Sequence, residues 1–246
     1  MKINPIEVYN DYLIKKDAEH QIERKKDNPN SFEASSAGLC MKKHYYKKIE
    51  APKKPVDSDS LRIMRLGTIM GEDFAKALDG IDSPNTEIYQ ELLVESKKLG
   101  VVGHLDLLIV EDGKGYLYDW KTANSFKFKK VFTSTETNNS ALQVGTYANA
   151  VLEMGVCEEI VHMGLLYFNK NDSKMKELIL NMDNIDKAKK YWESTNKLVK
   201  YAIDDQMEPE WATGSVPVYK WECGKYCNYS KICNCPLNKE YEGGIL

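Results

Sequence analysis

The sequence predicts an α/β domain built on a central mixed sheet flanked by helices. Two observations predict it. Segments run helix, three strands, helix, strands, helix along the chain. The composition, 42% hydrophobic and 29% charged over 246 residues, supplies enough apolar surface for one large core.

The elements follow in order. Residues 4–26 read as a helix that becomes highly charged toward its end, and 27–31 as a polar loop. Ser35 or Ser36 is placed to cap a short helix over 37–48. Pro52 and Pro55 mark a break before a helix over 58–78, in which Leu61, Met64 and Ile69 are expected to face the core. After a loop at 79–85, residues 87–96, 103–110 and 115–122 read as strands, with Asp112–Gly113 as a hairpin signal between the last two. A helix over 140–154 ends at Gly155, a C-cap position. Strands over 160–169 and 175–180 and a helix over 184–203 complete the core, and the chain from Pro209 is loop-rich. The expected organisation is one domain over 1–246. Its core spans about 58–206, and a lobe is built from both chain ends, about 30–55 and 207–246.

Net charge is -3, so composition alone does not signal nucleic-acid binding. The N-terminal stretch lacks the apolar centre of a signal peptide, and no apolar run approaches membrane-spanning length. The expected location is the cytoplasm, with no membrane partner. Thiols stay reduced there, so six cysteines need a reason other than disulfides. Four of them, Cys223, Cys227, Cys233 and Cys235, fall within thirteen residues, which favours metal or cluster ligation.

Candidate chemistry begins on the strands. Asp119 and Lys121, two apart on one strand, project to one side, and a tight hairpin brings Asp106 beside them. Phosphodiester cleavage uses such a set. Carboxylates hold Mg²⁺ or Mn²⁺, which polarises the phosphate and lowers the pKa of a bound water. A lysine orients that water or stabilises the developing charge. The main-chain carbonyl of Trp120 offers another hard oxygen. The D-x-K pattern itself is weak, because Asp112–Lys114 and Asp172–Lys174 also match it. Only the copy at Asp119 lies in an apolar strand preceded by a second acid-bearing strand. On the following helix Gln143 and Tyr147 stand i and i+4, on one face.

Soft thiolates select Zn²⁺ or iron–sulfur clusters. Cys40, far from the C-terminal run, is the candidate fourth partner. Cys157 reads as a small core residue. Between Cys40 and Lys54 lie six lysines and one acid, Glu50, interleaved with Tyr45 and Tyr46. Lys42, Lys43, Tyr45, Tyr46 and Lys47 are therefore candidates for DNA contact, as are Lys127, Lys129 and Lys130 after the D-x-K strand.

The runs Gly103-His-Leu-Asp106, Asp119-Trp-Lys121 and Gln143-Val-Gly-Thr-Tyr147 resemble the RecB-type branch of the PD-(D/E)xK nuclease superfamily. The resemblance implies a restriction-endonuclease-like core and a metal site at Asp106 and Asp119. It also implies a catalytic Lys121, with Gln143 and Tyr147 supporting the site or the DNA. The chain departs from the family at Gly71, which stands where a histidine is usual, in Gly67-Thr-Ile-Met-Gly71-Glu72. Glu72 remains a candidate metal ligand, and His104 shares a strand face with Asp106. One cysteine before the core and three after it resemble the iron–sulfur members. These include the fourth CRISPR-associated nuclease family, its phage-encoded relatives and AddB. This implies a cluster, of 4Fe-4S type, on Cys40, Cys223, Cys227 and Cys233. The Cys223–Cys227 gap is longer than the family's, Cys235 is an extra alternate ligand, and structural Zn²⁺ is the alternative.

The function expected from these residues is a Mg²⁺- or Mn²⁺-dependent deoxyribonuclease. It is expected to act as an exonuclease on single-stranded DNA or DNA ends, in a prokaryotic or phage setting. Two alternatives stay open. One is a non-catalytic nucleic-acid-binding member of the fold, with protein partners in a repair, recombination or CRISPR-adaptation complex. The other is a zinc-stapled interaction protein. No Walker loop or G-x-G-x-x-G supports nucleotide hydrolysis or dinucleotide binding.

Overall fold

The computed structural model describes residues 3–27, 31–81, 83–133, 139–209, 222–223, 227–235 and 237. Six helices and six strands are assigned within them: α1 (Pro5–Asp27), β1 (Phe32–Glu33), α2 (Met41–Lys48), α3 (Ser58–Leu78), β2 (Thr86–Ser96), β3 (Val101–Glu111), β4 (Lys114–Ala123), α4 (Ser125–Val131), α5 (Asn139–Met154), β5 (Glu159–Asn169), β6 (Met175–Ile179) and α6 (Asn184–Asp204).

The strands form one mixed sheet. The path runs β1-β3-β4-β5-β6, with β2 on the other edge of β3. Pairings β2/β3, β3/β4 and β5/β6 are antiparallel, while β1/β3 and β4/β5 are parallel. The α/β class and the flanking helices therefore match the sequence expectation. At the β3/β4 hairpin, Glu111 pairs with Lys114, and Asp112 and Gly113 both adopt positive φ. That is the two-residue turn that an Asp-Gly pair favours. The end of α5 also follows the sequence. Gly155 takes φ +70°, and the N–H groups of Gly155 and Val156 return to the carbonyls of Leu152 and Val151.

Two apolar clusters hold the fold. The first joins the sheet to α5 through Leu105, Leu108, Leu117, Val144, Tyr147, Val151, Met163 and Leu165. The second gathers Phe32, Met41 and Tyr46 with Tyr191 and Trp192 of α6, and it includes Cys223, Cys233 and Cys235. Buried Glu222 joins the two chain ends. Its carboxylate accepts the Cys40 N–H at 3.3 Å and pairs with the Lys43 ammonium at 3.1 Å. No described helix is long and apolar enough to cross a membrane.

Several expectations need correction. The short helix begins at Met41, not Ala37, and Ala34–Ser36 forms a single 3-10 turn. Leu61 is buried as expected, but Met64 and Ile69 face solvent. Phe74 of α3 stacks on Trp120 of β4 at 4.1 Å between ring centroids. Strand β1 and helix α4 were not expected. The first is two residues long, too short for periodicity to register. The second is seven residues, announced only by its cap, Asn124, whose side chain accepts the Lys127 N–H.

Candidate active site

The site lies where β3 and β4 part. Their ladder runs from Glu111↔Lys114 to Leu107↔Tyr118 and stops there. The next residues in register are Asp106 and Asp119. Beyond them β4 follows β5, while the start of β3 pairs with β1. Asp106 fills the fork, because its carboxylate accepts the Trp120 N–H at 2.6 Å. Beyond the end of the ladder that N–H has no carbonyl of β3 opposite it, and the carboxylate satisfies it instead.

Asp119 is buried, with 1% of its surface exposed. The Lys121 ammonium forms an ion pair with it, yet neither carboxylate oxygen has a hydrogen-bond partner of good geometry. Lys121 Nζ also donates to Gln143 Oε1 at 3.3 Å, and Gln143 Nε2 donates to the Tyr147 hydroxyl at 3.1 Å. Asp119, Lys121, Gln143 and Tyr147 thus form one polar chain from β4 to α5. The i, i+4 spacing of the last two is what aligns them.

Two glycines allow this approach. A Cβ at Gly103 would lie 3.0 Å from both Tyr147 Cε1 and Ala34 Cβ. A Cβ at Gly145 would lie 2.1 Å from the Asn184 carbonyl oxygen, where α5 meets the start of α6.

Charge is stored in the fork. Burial, then Asp119, pushes the Asp106 carboxyl up to about 7. Burial raises Asp119 as well, against the opposing pull of Lys121. Burial works against the Lys121 ammonium, but Asp119 and Asp106 outweigh it and hold its pKa above the usual lysine range. The Tyr147 hydroxyl is pushed far up by burial and by Asp119, so it stays a neutral hydrogen-bonding group.

Glu72 sits on α3 and pairs with Arg65 at 3.0 Å. A Cβ at Gly71 would meet no heavy atom within 4 Å. Glu91 of β2 was not among the residues the sequence singled out. Burial raises its carboxyl, His104 opposes the rise, and Asp119 and Glu72 add to it. Its only sequence signal was an acid in the middle of a strand.

The donors suit a hard divalent cation in kind. They are two carboxylates, one of them buried with oxygens that lack hydrogen-bond donors. Among the described residues, however, no three His, Cys, Asp or Glu side chains are gathered as a finished cage, and Lys121 stands beside Asp119.

Cys223, Cys233 and Cys235 are buried in the second cluster, and the partly buried Cys227 packs against it. Cys223 Sγ lies 3.4 Å from Cys235 Sγ, and Cys40, Cys227 and Cys233 act electrostatically on one another or on this pair. None of the six cysteines is in a disulfide. Burial, then Glu222, pushes the Cys40 thiol up to about 12. Burial likewise raises the Cys223, Cys227 and Cys233 thiols. Cys157 is buried in the first cluster, as expected for a small core residue.

The proposed DNA face at 42–47 is corrected. Tyr45 and Tyr46 are buried in the second cluster. The Lys42 ammonium is buried and donates to Glu208 at 2.8 Å and Asn234 at 2.6 Å. Lys43 is tied to buried Glu222, whereas Lys47 is exposed and forms a surface pair with Glu33 at 2.8 Å. Stacking faces and phosphate-binding ammoniums must be open to solvent, and Lys42, Lys43, Tyr45 and Tyr46 are committed to the fold. Lys127, Lys129 and Lys130 on α4 are exposed. Partial desolvation, then the like charges of Lys121 and Lys170, lowers the Lys127 pKa, so Lys127 stands within electrostatic reach of Lys121.

Comparison with protein families matches residues 33–234 to the PD-(D/E)XK nuclease superfamily. The chain belongs to that superfamily. A search of curated protein sequences gives no match. Among solved structures, SSO0001 is similar at 19% identity and a TM-score of 0.53, over 92% of this chain and 96% of that one. That likeness shows the shared fold. An alkaline exonuclease, LHK-Exo, from Laribacter hongkongensis aligns at 11% identity and a TM-score of 0.47, over 72% of this chain and 91% of that one. Its complex with dAMP aligns at 11% identity and a TM-score of 0.43, with the same coverage.

Proposed function

We propose that this superfamily member is a Mg²⁺- or Mn²⁺-dependent deoxyribonuclease of the RecB type, acting as an exonuclease on single-stranded DNA or DNA ends. The observation that carries the reading is the fork. Asp106 and Asp119 meet at its mouth, and Lys121 is shared between Asp119 and Gln143.

Asp106, Asp119 and the Trp120 carbonyl are the residues that would hold the cation, with Glu72 at the margin. When bound, the cation supplies Lewis acidity and a water of lowered pKa. The remaining work belongs to the chain. The Trp120 N–H fixes the Asp106 carboxylate. Gln143 holds the Lys121 ammonium toward the site, where it stabilises charge developing on the phosphate. Tyr147 stays protonated and braces Gln143. Exposed Lys127, within electrostatic reach of Lys121, and exposed Lys129 on the same helix would neutralise phosphates of the incoming strand.

The cysteine set is read as ligands of a 4Fe-4S cluster, with Cys40, Cys223, Cys227 and Cys233 as the ligands and Cys235 as the alternate. It would fasten the two chain ends around the core. The supporting observation is that three C-terminal thiols are buried in one cluster with Cys227 packed against it, and that Cys40 acts electrostatically on Cys223 and Cys233. Visible absorption of anaerobically purified protein separates this from Zn²⁺, which gives a colourless sample. The setting that fits these properties is prokaryotic or phage recombination, repair or CRISPR adaptation.

The test of activity is digestion of end-labelled single-stranded DNA with Mg²⁺ or Mn²⁺. Asp119→Asn and Lys121→Met are expected to abolish cleavage. Cleavage surviving in both would remove the site assignment.

A further inference from the structure

Helix α4, which follows β4 directly, carries an aromatic ring in the open. Phe126 is 79% exposed, more than any other large apolar side chain among the described residues. The other two phenylalanines of this stretch are taken up by the fold. Phe128 is buried and packs on Phe132 at 5.2 Å between ring centroids, and Phe132 meets Tyr167 at 5.8 Å. Helical residues two apart lie on nearly opposite sides, so anchoring Phe128 in the core turns Phe126 to solvent. A single exposed apolar side chain is ordinary on a protein surface. This one differs in its mount and in its surroundings.

The mount is fixed to the strand that carries Lys121. The Asn124 side chain accepts the Lys127 N–H at 2.8 Å, and the Ser125 N–H donates to Asn171 Oδ1 at 2.8 Å. The Lys170 N–H donates to the Ala123 carbonyl at 2.8 Å, which joins the end of β5 to the start of α4. A ring held this way loses little freedom when something stacks on it.

The surroundings are cationic. Residues 121–135 carry four lysines and no acid. Lys129 stands at i+3 from Phe126 and shares its face of α4. The like charges of Lys121 and Lys170 both reach Lys127. Asp172, two residues beyond Lys170, is already paired with Lys174 at 2.9 Å. An open ring set among ammoniums suits a nucleic-acid strand whose bases are unpaired. A base stacks on the ring, and the phosphates beside it meet the cations. A duplex keeps its bases inside and offers the ring only backbone.

We infer that Phe126 stacks on an unpaired base of single-stranded DNA beside the site, with Lys170 and Lys127 holding the phosphates between that base and Lys121. Neither Phe126 nor Lys170 was singled out in the sequence.

This inference rests on the nuclease reading above for its substrate, and the test separates the two. Binding is measured by fluorescence anisotropy on the full-length protein without added divalent metal. The probes are a labelled oligothymidine, an abasic strand of the same length and a blunt duplex. The proteins are wild type, Phe126→Ala, Phe126→Leu, Phe126→Trp, Lys170→Ala and Tyr201→Ala, the last a control at an exposed aromatic on α6. Phe126→Ala and Phe126→Leu are expected to weaken oligothymidine binding about tenfold and to bind the abasic strand and the duplex as wild type does. Phe126→Trp keeps a stacking face and should bind at least as tightly as wild type. Lys170→Ala should weaken the oligothymidine and the abasic strand alike. Tyr201→Ala should change nothing. Wild-type affinity of Phe126→Ala for oligothymidine, or an equal loss on the abasic strand, would overturn the Phe126 assignment. Cleavage by the wild type with Mg²⁺ or Mn²⁺ would leave the nuclease reading standing in that case. Binding that depends on Phe126 in a protein that cleaves nothing would keep the inference and remove the nuclease reading.

Discussion

The main-chain N–H of Trp120 donates to the carboxylate of Asp106 at 2.6 Å, across the point where their strands separate. One acid thus holds the fork open while the residues on either side of Trp120, Asp119 and Lys121, face the helix α5. The D-x-K pattern has its spacing for this reason. Residues two apart share a side, and the residue between them offers its backbone to the neighbouring strand.

The Asp106 carboxyl is raised from its ordinary 3.8 to about 7 by burial and by Asp119. The folded chain therefore holds that proton more tightly than the unfolded chain between about pH 4 and 7. In the metal-free protein this group lowers stability as pH rises through that window, and the loss persists above it. Asp106→Asn is expected to raise metal-free stability at pH 8 by about 1–3 kcal/mol and to have little effect at pH 4. Urea melts at the two pH values check this.

Lys121 is the cation beside a buried carboxylate. Lys121→Met leaves Asp119 uncompensated, so it is expected to destabilise the metal-free fold by about 3–5 kcal/mol at pH 8. Adding Asp119→Asn to that variant should recover most of the loss. A double-mutant cycle by chemical denaturation measures the coupling, and additive effects would place Lys121 outside this pair.

Gln143 carries the Lys121 ammonium on one atom and the Tyr147 hydroxyl on the other. Gln143→Ala is expected to lower kcat by about 10–100-fold with an unchanged melting temperature, the scale typical of residues that orient a site. Tyr147→Phe removes one hydrogen bond from this chain and should cost less. Single-turnover cleavage of single-stranded DNA reads both.

The corrected lysines separate from the exposed ones. Lys42→Ala breaks a buried pair with Glu208 and should cost about 3–5 kcal/mol of stability. The slope of DNA affinity against salt is expected to stay unchanged. Lys127→Ala with Lys129→Ala should leave stability within about 0.5 kcal/mol and flatten that slope by about one to two phosphate contacts. Melting curves and binding at several salt concentrations distinguish the two sets of variants.

The sheet was legible because its strands carry strong local signals. Examples are the Asp112–Gly113 turn, the aromatic alternation around Asp119 and the glycine stop at Gly155. The motif residues were legible because strand and helix periods fix which side chains share a side. Glu91 was not, because its place depends on the register between β2 and β3 and on one kinked residue, neither of which has a local pattern. Lys42, Lys43 and the two tyrosines after them misled for a related reason. A short run of lysines and tyrosines reads as a solvated, nucleic-acid-facing stretch, but its partners Glu208, Glu222 and Asn234 lie more than 160 residues away. The two-residue strand Phe32–Glu33 depends in the same way on a distant edge of β3.

The most direct test of the central claim is anomalous diffraction from crystals of the full-length protein grown with Mn²⁺. A single strong peak is expected between the carboxylates of Asp106 and Asp119, with the Lys121 ammonium moved from Asp119 toward Gln143. A map with no peak at the fork at saturating Mn²⁺, and with the Asp119–Lys121 pair intact, would contradict it.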